Sequence, residues 1–428
     1  MLLQTLPLLI SLVALVLYTV LAGADFGAGV WQLAAGRGEH ARRLRDHAHH
    51  AMAPVWEANH VWLVLVLTVV WTAYPTVFGS VCSTLAIPIF LAAIGIVLRG
   101  LCYVVQSATE EPAERRFIDT AFALSSLLTP FMLGTVIGGI ASGRVPVGNA
   151  KGDMVTSWVN PTSLISGCLA VAVGAYLAAV FLAADARRHP GQGLERAFRG
   201  RALVAGVAAG VLSLVGLAVL AGDAPRILAG LSSGWGLAAA VVSGLGGISS
   251  LVLVWLRRFN PARVTAAVAV AALLGGWAAA QRPYLLPGLT LGDAAADNVT
   301  LLAVVISVLL GGIVLAPSLV LLFRLSLAGR LDPDPSASVR PARRRPDAVR
   351  PRWAGRAGVA CLLVGVVLLT LVDADVAHVL GVIAFAGAGL AIFTAVGPDQ
   401  VAGEESKVFV RGIRGRTRAR AGATLSAR

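Results

Sequence analysis

The sequence predicts an all-α polytopic membrane protein, and three observations lead there. Of its 428 residues, 57% are hydrophobic and only 13% charged, with a mean hydropathy of +0.80; a water-soluble domain carries about 25% charged residues. Apolar runs long enough to cross a bilayer, about 20 residues each, recur along the chain. The basic residues between those runs alternate, dense in one connection and sparse in the next. A net charge of +13 would suggest a nucleic-acid partner in a soluble chain. Here the basic residues lie between apolar spans, so membrane topology accounts for them and no nucleic acid is expected.

Taken in order, the apolar windows are 7–35, 54–79, 82–106, 117–141, 161–184, 201–221, 235–256, 263–280, 300–323, 357–372 and 375–397, about eleven transmembrane helices. The first lacks a preceding basic segment and reads as a retained helix rather than a cleaved signal peptide; its end, around "GADFGAG", is a candidate for a bend. Counting residues at helix ends with the nearer connection, all 35 Lys and Arg except Arg144, Lys151, Arg226 and Arg282 fall on one side. That side carries "ARRLRD", "ARRHPGQGLERAFRGR", "RRFNPAR" and "RPARRRPDAVRPRWAGR". Basic connections stay in the cytoplasm, so the N-terminus is expected outside and the C-terminus inside. The domains expected are a nine-helix body over 1–326, a Pro/Arg-rich cytoplasmic linker over 327–356, and a two-helix hairpin with a basic tail over 357–428. Small residues at Gly134 and Gly138, and at Gly206 and Gly210, have the spacing that lets membrane helices approach closely.

Cys82, Cys102, Cys168 and Cys361 stand far apart with no CxxC or CxxCH pattern, so no zinc, iron–sulfur or covalent haem motif is present and no metal is assigned to the chain. His40, His47, His49 and His50 share the first cytoplasmic connection and read as solvated. His60 alone lies near a membrane-embedded helix, a poor basis for two-histidine haem ligation.

Polar residues inside the apolar windows are costly and therefore informative, at roughly 2.5–3.5 kcal/mol for a charge at the helix centre. They are Asp25, Glu57, Asn59, His60, Arg99 and Asp119, all within the first four windows. Trp56, Asn59, His60 and Leu63 share a helical stripe, and Glu57 lies one turn before His60. Burial raises a carboxyl pKa and lowers an imidazole pKa, bringing such a pair towards neutrality, as a proton relay needs. The same pair would equally serve as a helix-to-helix hydrogen-bonding tie. The glycines around Asp25 permit either a close backbone approach or a helix irregularity, and a polar helix end facing the cytoplasm is the other reading. Arg99 ends its helix, where snorkelling to the interface is the simplest role. Asp119 opens the next helix, where a carboxylate suits the N-terminal dipole. In the expected topology Asp25, Glu57, Arg99 and Asp119 all lie towards the cytoplasm, as a proton entrance would.

Several stretches resemble, in order, subunit II of the cytochrome bd-type quinol oxidases. They are "GADFGAG", "APVWEANHVWL", "LRG" at 98–100, "IDTAF…TPFMLGTVIGG", and "QRPYLLP" followed by "LTLGDAAADNVT". The resemblance covers residues 5–325. It implies a subunit of a terminal oxidase in the bacterial cytoplasmic membrane that oxidises quinol and reduces dioxygen to water. It implies haem b and haem d on a partner, subunit I, with this chain haem-free, supporting assembly and a cytoplasmic proton path, and with room for a structural quinone, lipids and small accessory subunits. Asp25, Glu57, His60 and Asp119 would then be proton-relay residues, with Trp56, Asn59, Trp62 and Arg99 at interfaces or structural. The family pattern has an acidic residue and a second arginine soon after the position of Arg99, and "LRGLCYVVQSA" has neither. A proton-coupled secondary transporter using Asp25 and Glu57 is the rival reading. Transporters usually place broken helices in two corresponding halves, whereas here the embedded charges crowd the first third.

Overall fold

In the computed structural model of the chain, residues 2–36, 38–52, 56–108, 112–187 and 193–327 are described, with scattered positions between 357 and 387. The chain divides into two units, Met1–Arg324 and Leu325–Arg428. Everything below concerns the first. The expected linker and hairpin fall almost wholly outside the described residues.

Among its described residues the first unit is helical, apart from one small hairpin. In chain order it comprises α1 (Leu2–Leu33), α2 (Glu39–Met52), α3 (Trp56–Ala73), α4 (Pro75–Thr84), α5 (Ala86–Ala108), α6 (Pro112–Ala141), α7 (Pro161–Ala186) and α8 (Leu194–Asp223). Then come α9 (Pro225–Leu231), α10 (Gly234–Trp255), α11 (Phe259–Gln281), strands β1 (Tyr284–Leu286) and β2 (Leu289–Thr290), α12 (Leu291–Ala294) and α13 (Asn298–Leu327). Among the described residues seven helices are long and apolar enough to cross a membrane, and α3 with α4 makes an eighth if that bent pair is one span.

The expected single helix over 54–79 is instead broken, with α3 and α4 at 120°. Pro75 is the physical reason. It has no N–H to donate, and it pushes the residue before it out of the helical region; Tyr74 accordingly sits at φ −139°, ψ 63°. The Tyr74 hydroxyl donates to Gln4 O at 2.6 Å, which fixes the break against the start of α1. The bend considered near "GADFGAG" is absent, since α1 continues unbroken to Leu33.

The first connection is also more ordered than a solvated loop. In α2, Ala41, Leu44 and Ala48 are buried while Arg42, Arg43 and Asp46 face outward, an amphipathic stripe at helical spacing. His47 lies on that inner side, 3.2 Å from Leu182 O, 3.8 Å from Asp185 and ring to ring with Phe198 at 5.5 Å. Its reading as a solvated histidine is therefore corrected: a helix that buries its stripe carries His47 onto α7.

α7 is the central helix, packing against α1, α6 and α8. Leu177, Ala178, Ala179, Val180, Leu182 and Ala183 are wholly buried, and their mostly small side chains let neighbours close in. The Gly134/Gly138 spacing works this way: a Cβ on Gly134 would lie 2.8 Å from Gly167 Cα of α7. Gly210 plays no such part, with nothing within 4 Å of its would-be Cβ.

At the opposite end from α2, an ion pair closes the bundle. Arg144, in the α6–α7 connection, donates to both Asp223 oxygens at 3.0 and 2.5 Å. Asp223, ending α8, also accepts from the Thr162 backbone at 3.1 Å and hydroxyl at 2.6 Å in the first turn of α7. One carboxylate thus ties three elements. Replacing Asp223 by alanine leaves these donors unsatisfied and is expected to cost about 1–3 kcal/mol, read as a lowered thermal unfolding midpoint of the purified protein. Asp297 caps α13 in the same manner. The Thr300 hydroxyl and the backbone N–H groups of Thr300 and Val299 donate to it and hold its carboxyl below the usual carboxylate range.

Candidate functional site: a buried carboxylate–guanidinium pair

Three helices, α1, α5 and α6, bring the embedded charges together. Asp25 on α1 and Arg99 on α5 are each 1% exposed, and Arg99 Nη2 donates to Asp25 Oδ1 at 2.7 Å and to the Asp25 carbonyl at 2.8 Å. Arg99 Nη1 donates to the Ser126 hydroxyl of α6, which itself donates to Phe122 O at 2.6 Å. The guanidinium lies over two rings, with Cζ 4.2 Å from the Phe122 centroid and 5.0 Å from that of Phe26. Arginine suits this place, since its planar fork can bond a carboxylate, a carbonyl and a hydroxyl at once while its faces stack on aromatics.

Local sequence explains why the helices meet here. A Cβ on Gly29 would overlap the Ser126 hydroxyl and lie 3.2 Å from Arg99 Nη1. A Cβ on Gly27 would overlap the Gly174 carbonyl of α7. Of the two roles open to the glycines around Asp25, close approach is the one observed. Snorkelling of Arg99 is corrected as well. Its side chain turns inward because Asp25, one helix away, offers a counter-charge that the interface lacks.

Around the pair is an aromatic pocket. Tyr18, two turns before Asp25 on α1, and Phe26 each approach the His60 ring of α3 edge-on at 6.2 Å. Trp62 and Leu63 pack on Tyr18, Ala22 and Phe26. Tyr18 is 5% exposed, and neither its hydroxyl nor Asp25 Oδ2 has a hydrogen-bond partner among the described residues. Asn59, 2% exposed, likewise has an unpartnered Oδ1. Asp119 is half-buried on α6, next to Ile118, which packs with Cys102 and Phe122. Trp56 and Glu57 lie in the first turn of α3, with their side chains outside the described residues.

Of the residues expected from sequence, Asp25, His60, Trp62 and Arg99 therefore converge. Tyr18, Phe26, Phe122 and Ser126 were not foreseen. Tyr18 had a readable signal in its seven-residue spacing from Asp25, which puts both on one face of a helix. Ser126 had none, because serines in apolar helices commonly bond their own backbone.

Among the described residues no group of three or more His, Cys, Asp or Glu gathers that could hold a metal ion.

The family model for subunit II of the cytochrome bd terminal oxidases matches residues 3–326. The chain belongs to that family. It is 26% identical over 131 residues to cytochrome bd-I ubiquinol oxidase subunit 2 of Escherichia coli (strain K12), covering 31% of this chain and 34% of that protein. It is 23% identical over 239 residues to the putative cytochrome bd menaquinol oxidase subunit II of Bacillus subtilis (strain 168), covering 54% of this chain and 67% of that protein. The chain thus spans about a third of the E. coli relative's length in sequence. Its fold is similar to a chain of the bd oxidase from Geobacillus thermodenitrificans, with a TM-score of 0.60 and 26% identity over 76% of this chain and 99% of that one. Family membership and the apolar helices together make this a multi-pass protein of the bacterial cytoplasmic membrane.

Proposed function

We propose that the chain is the haem-free subunit II of a bd-type terminal oxidase, a heterodimer with subunit I that oxidises quinol and reduces dioxygen to water. Haem b and haem d on subunit I would supply the electron transfer and oxygen chemistry. This chain would support assembly and carry a proton path from the cytoplasm. In this reading eleven helices cross the membrane, the N-terminus is outside, and 327–428 forms a cytoplasmic linker and an additional hairpin. Lipids, a structural quinone and small accessory subunits complete the expected partners.

The observation that carries the proton-path reading is Asp25 Oδ2, a buried carboxylate oxygen with no hydrogen-bond partner among the described residues. Leaving such an acceptor unsatisfied costs about 1–3 kcal/mol, so a water held there would offset that cost. Arg99 supplies the fixed counter-charge, and Tyr18 and His60 line the same pocket. Glu57, one helical turn before His60, would receive protons ahead of it, and Asp119 would extend the path along α6. A proton-coupled transporter is less well supported, because Asp25 is tied to Arg99 rather than facing an open substrate site.

Glu57→Gln separates a relay from a structural tie. We expect the variant complex to keep its reduced-minus-oxidised haem spectrum while oxygen consumption falls about a hundredfold or more, in the 10²–10⁴-fold range typical of positioned proton-transfer groups. Loss of the haem spectrum together with subunit I would mean that Glu57 holds the assembly together. Unchanged turnover would remove it from the path. No haem d band in the protein purified with its native partners would sink the oxidase reading itself.

A further inference from the structure

At the end of the bundle where α7, α8, α10 and α11 carry their basic connections, a recess of 290 Å³ is lined by Ala184, Arg187, Arg258, Phe259, Asn260 and Pro261. We propose that it binds the phosphate of an anionic phospholipid headgroup, with the acyl chains lying along α10. It belongs to neither the Asp25–Arg99 site nor the proton path.

Four observations support this. First, two guanidinium groups and an amide line one small recess, and among the described residues no carboxylate does. The nearest acidic residue on α7, Asp185, is directed to His47 of α2 at 3.8 Å. Second, the arginines have donors to spare. Arg187 Nη1 donates to Arg257 O at 2.6 Å, one of five N–H groups, and Arg258 makes no side-chain hydrogen bond among the described residues. Third, the turn that presents them is unusual. Arg257 adopts φ +58°, a left-handed conformation that non-glycine residues rarely take, and this turns its carbonyl to Arg187 and starts α11 at the recess. Fourth, the recess adjoins apolar surface. Val252, Trp255 and Leu256 at the end of α10 are 50%, 65% and 58% exposed, and Arg199 stacks over the Trp255 ring at 5.3 Å. Tryptophan flanked by arginine is the composition of a membrane interface. Arginine forks match phosphate oxygens bidentately, and basic pockets between transmembrane helices on the cytoplasmic side suit anionic headgroups. The apolar strip favours a lipid over a free phosphate.

The test uses the chain purified with its native membrane partners, delipidated and returned to phosphatidylcholine bilayers containing graded phosphatidylglycerol, with retained lipid counted by native mass spectrometry. Wild type should retain phosphatidylglycerol selectively. At about 1 kcal/mol per arginine near the surface, R187Q/R258Q should weaken that retention roughly thirtyfold and R258Q alone roughly fivefold. Arg258→Lys should keep most of it, and Arg226→Gln, on the opposite side by the charge pattern, should change nothing. If the double variant does not assemble, R258Q against Arg258→Lys decides the matter. Equal retention in R258Q and wild type overturns the proposal. So does displacement of the lipid by millimolar inorganic phosphate, which would make the recess a free-anion site, or recovery of a quinone in place of phosphatidylglycerol.

Discussion

Arg99→Met is expected to destabilise the assembled protein by about 3–5 kcal/mol, the range for removing one partner of a buried ion pair. The cause is what remains. Asp25 is 1% exposed and would keep a carboxylate in an apolar pocket without its counter-charge, while the Ser126 hydroxyl would lose its donor. Asp25→Leu should cost a comparable amount for the mirror reason, leaving a guanidinium between Phe26 and Phe122. Removing both charges together, as Asp25→Leu with Arg99→Met, should recover much of the loss, since replacing a buried pair by apolar residues is often close to neutral. Thermal unfolding of the four proteins forms a double-mutant cycle. A coupling near zero would mean that the two side chains contribute independently. Oxygen consumption adds a second axis: if the double variant is stable but slow, the pair serves turnover as well as folding.

Gly27→Leu is expected to have the next largest effect, at or above the upper end of the 1–3 kcal/mol usual for overpacking. Its Cβ would overlap the carbonyl of Gly174 and lie 2.8 Å from the backbone nitrogen of Ala175. Backbone cannot rotate away as a side chain can, so α1 and α7 must separate. Asp25 lies half a turn away on α1, and the shift would pull it from Arg99. Gly23→Ala on the same helix is the control. Its Cβ would meet Leu177 Cδ1 at 3.7 Å, an ordinary contact, so its unfolding midpoint should stay near wild type. Equal effects from both substitutions would show that helix propensity, not the α1–α7 approach, governs this region.

Much of the architecture was legible because its physics is one-dimensional. A lipid span needs a long apolar run, and such runs at 161–184, 235–256 and 300–323 coincide with α7, α10 and α13. Where reading by composition failed, a local rule outranked hydropathy. Hydropathy is blind to the missing N–H of Pro75, so 54–79 looked like one helix. It is equally blind to the buried stripe of α2, because that helix is polar on average and only its spacing places Ala41, Leu44 and Ala48 on one side.

The candidate site divides along the same line. Which residues are exceptional was written in the sequence: Asp25, Glu57, His60, Arg99 and Asp119 stand out because charge at membrane depth is expensive. The bd oxidase subunit II family was written there too, in motifs that keep their order along the chain. Partnership was not. Arg99 and Asp25 are 74 positions apart, and no periodicity within α1 or α5 says which face of one helix meets the other. That was decided by glycines 27 and 29, which let α1 sink against α7 and α6 until a single guanidinium reaches a carboxylate, a carbonyl and a hydroxyl. A chain's composition determines what must be buried; only the packing of helices on one another determines what it is buried against.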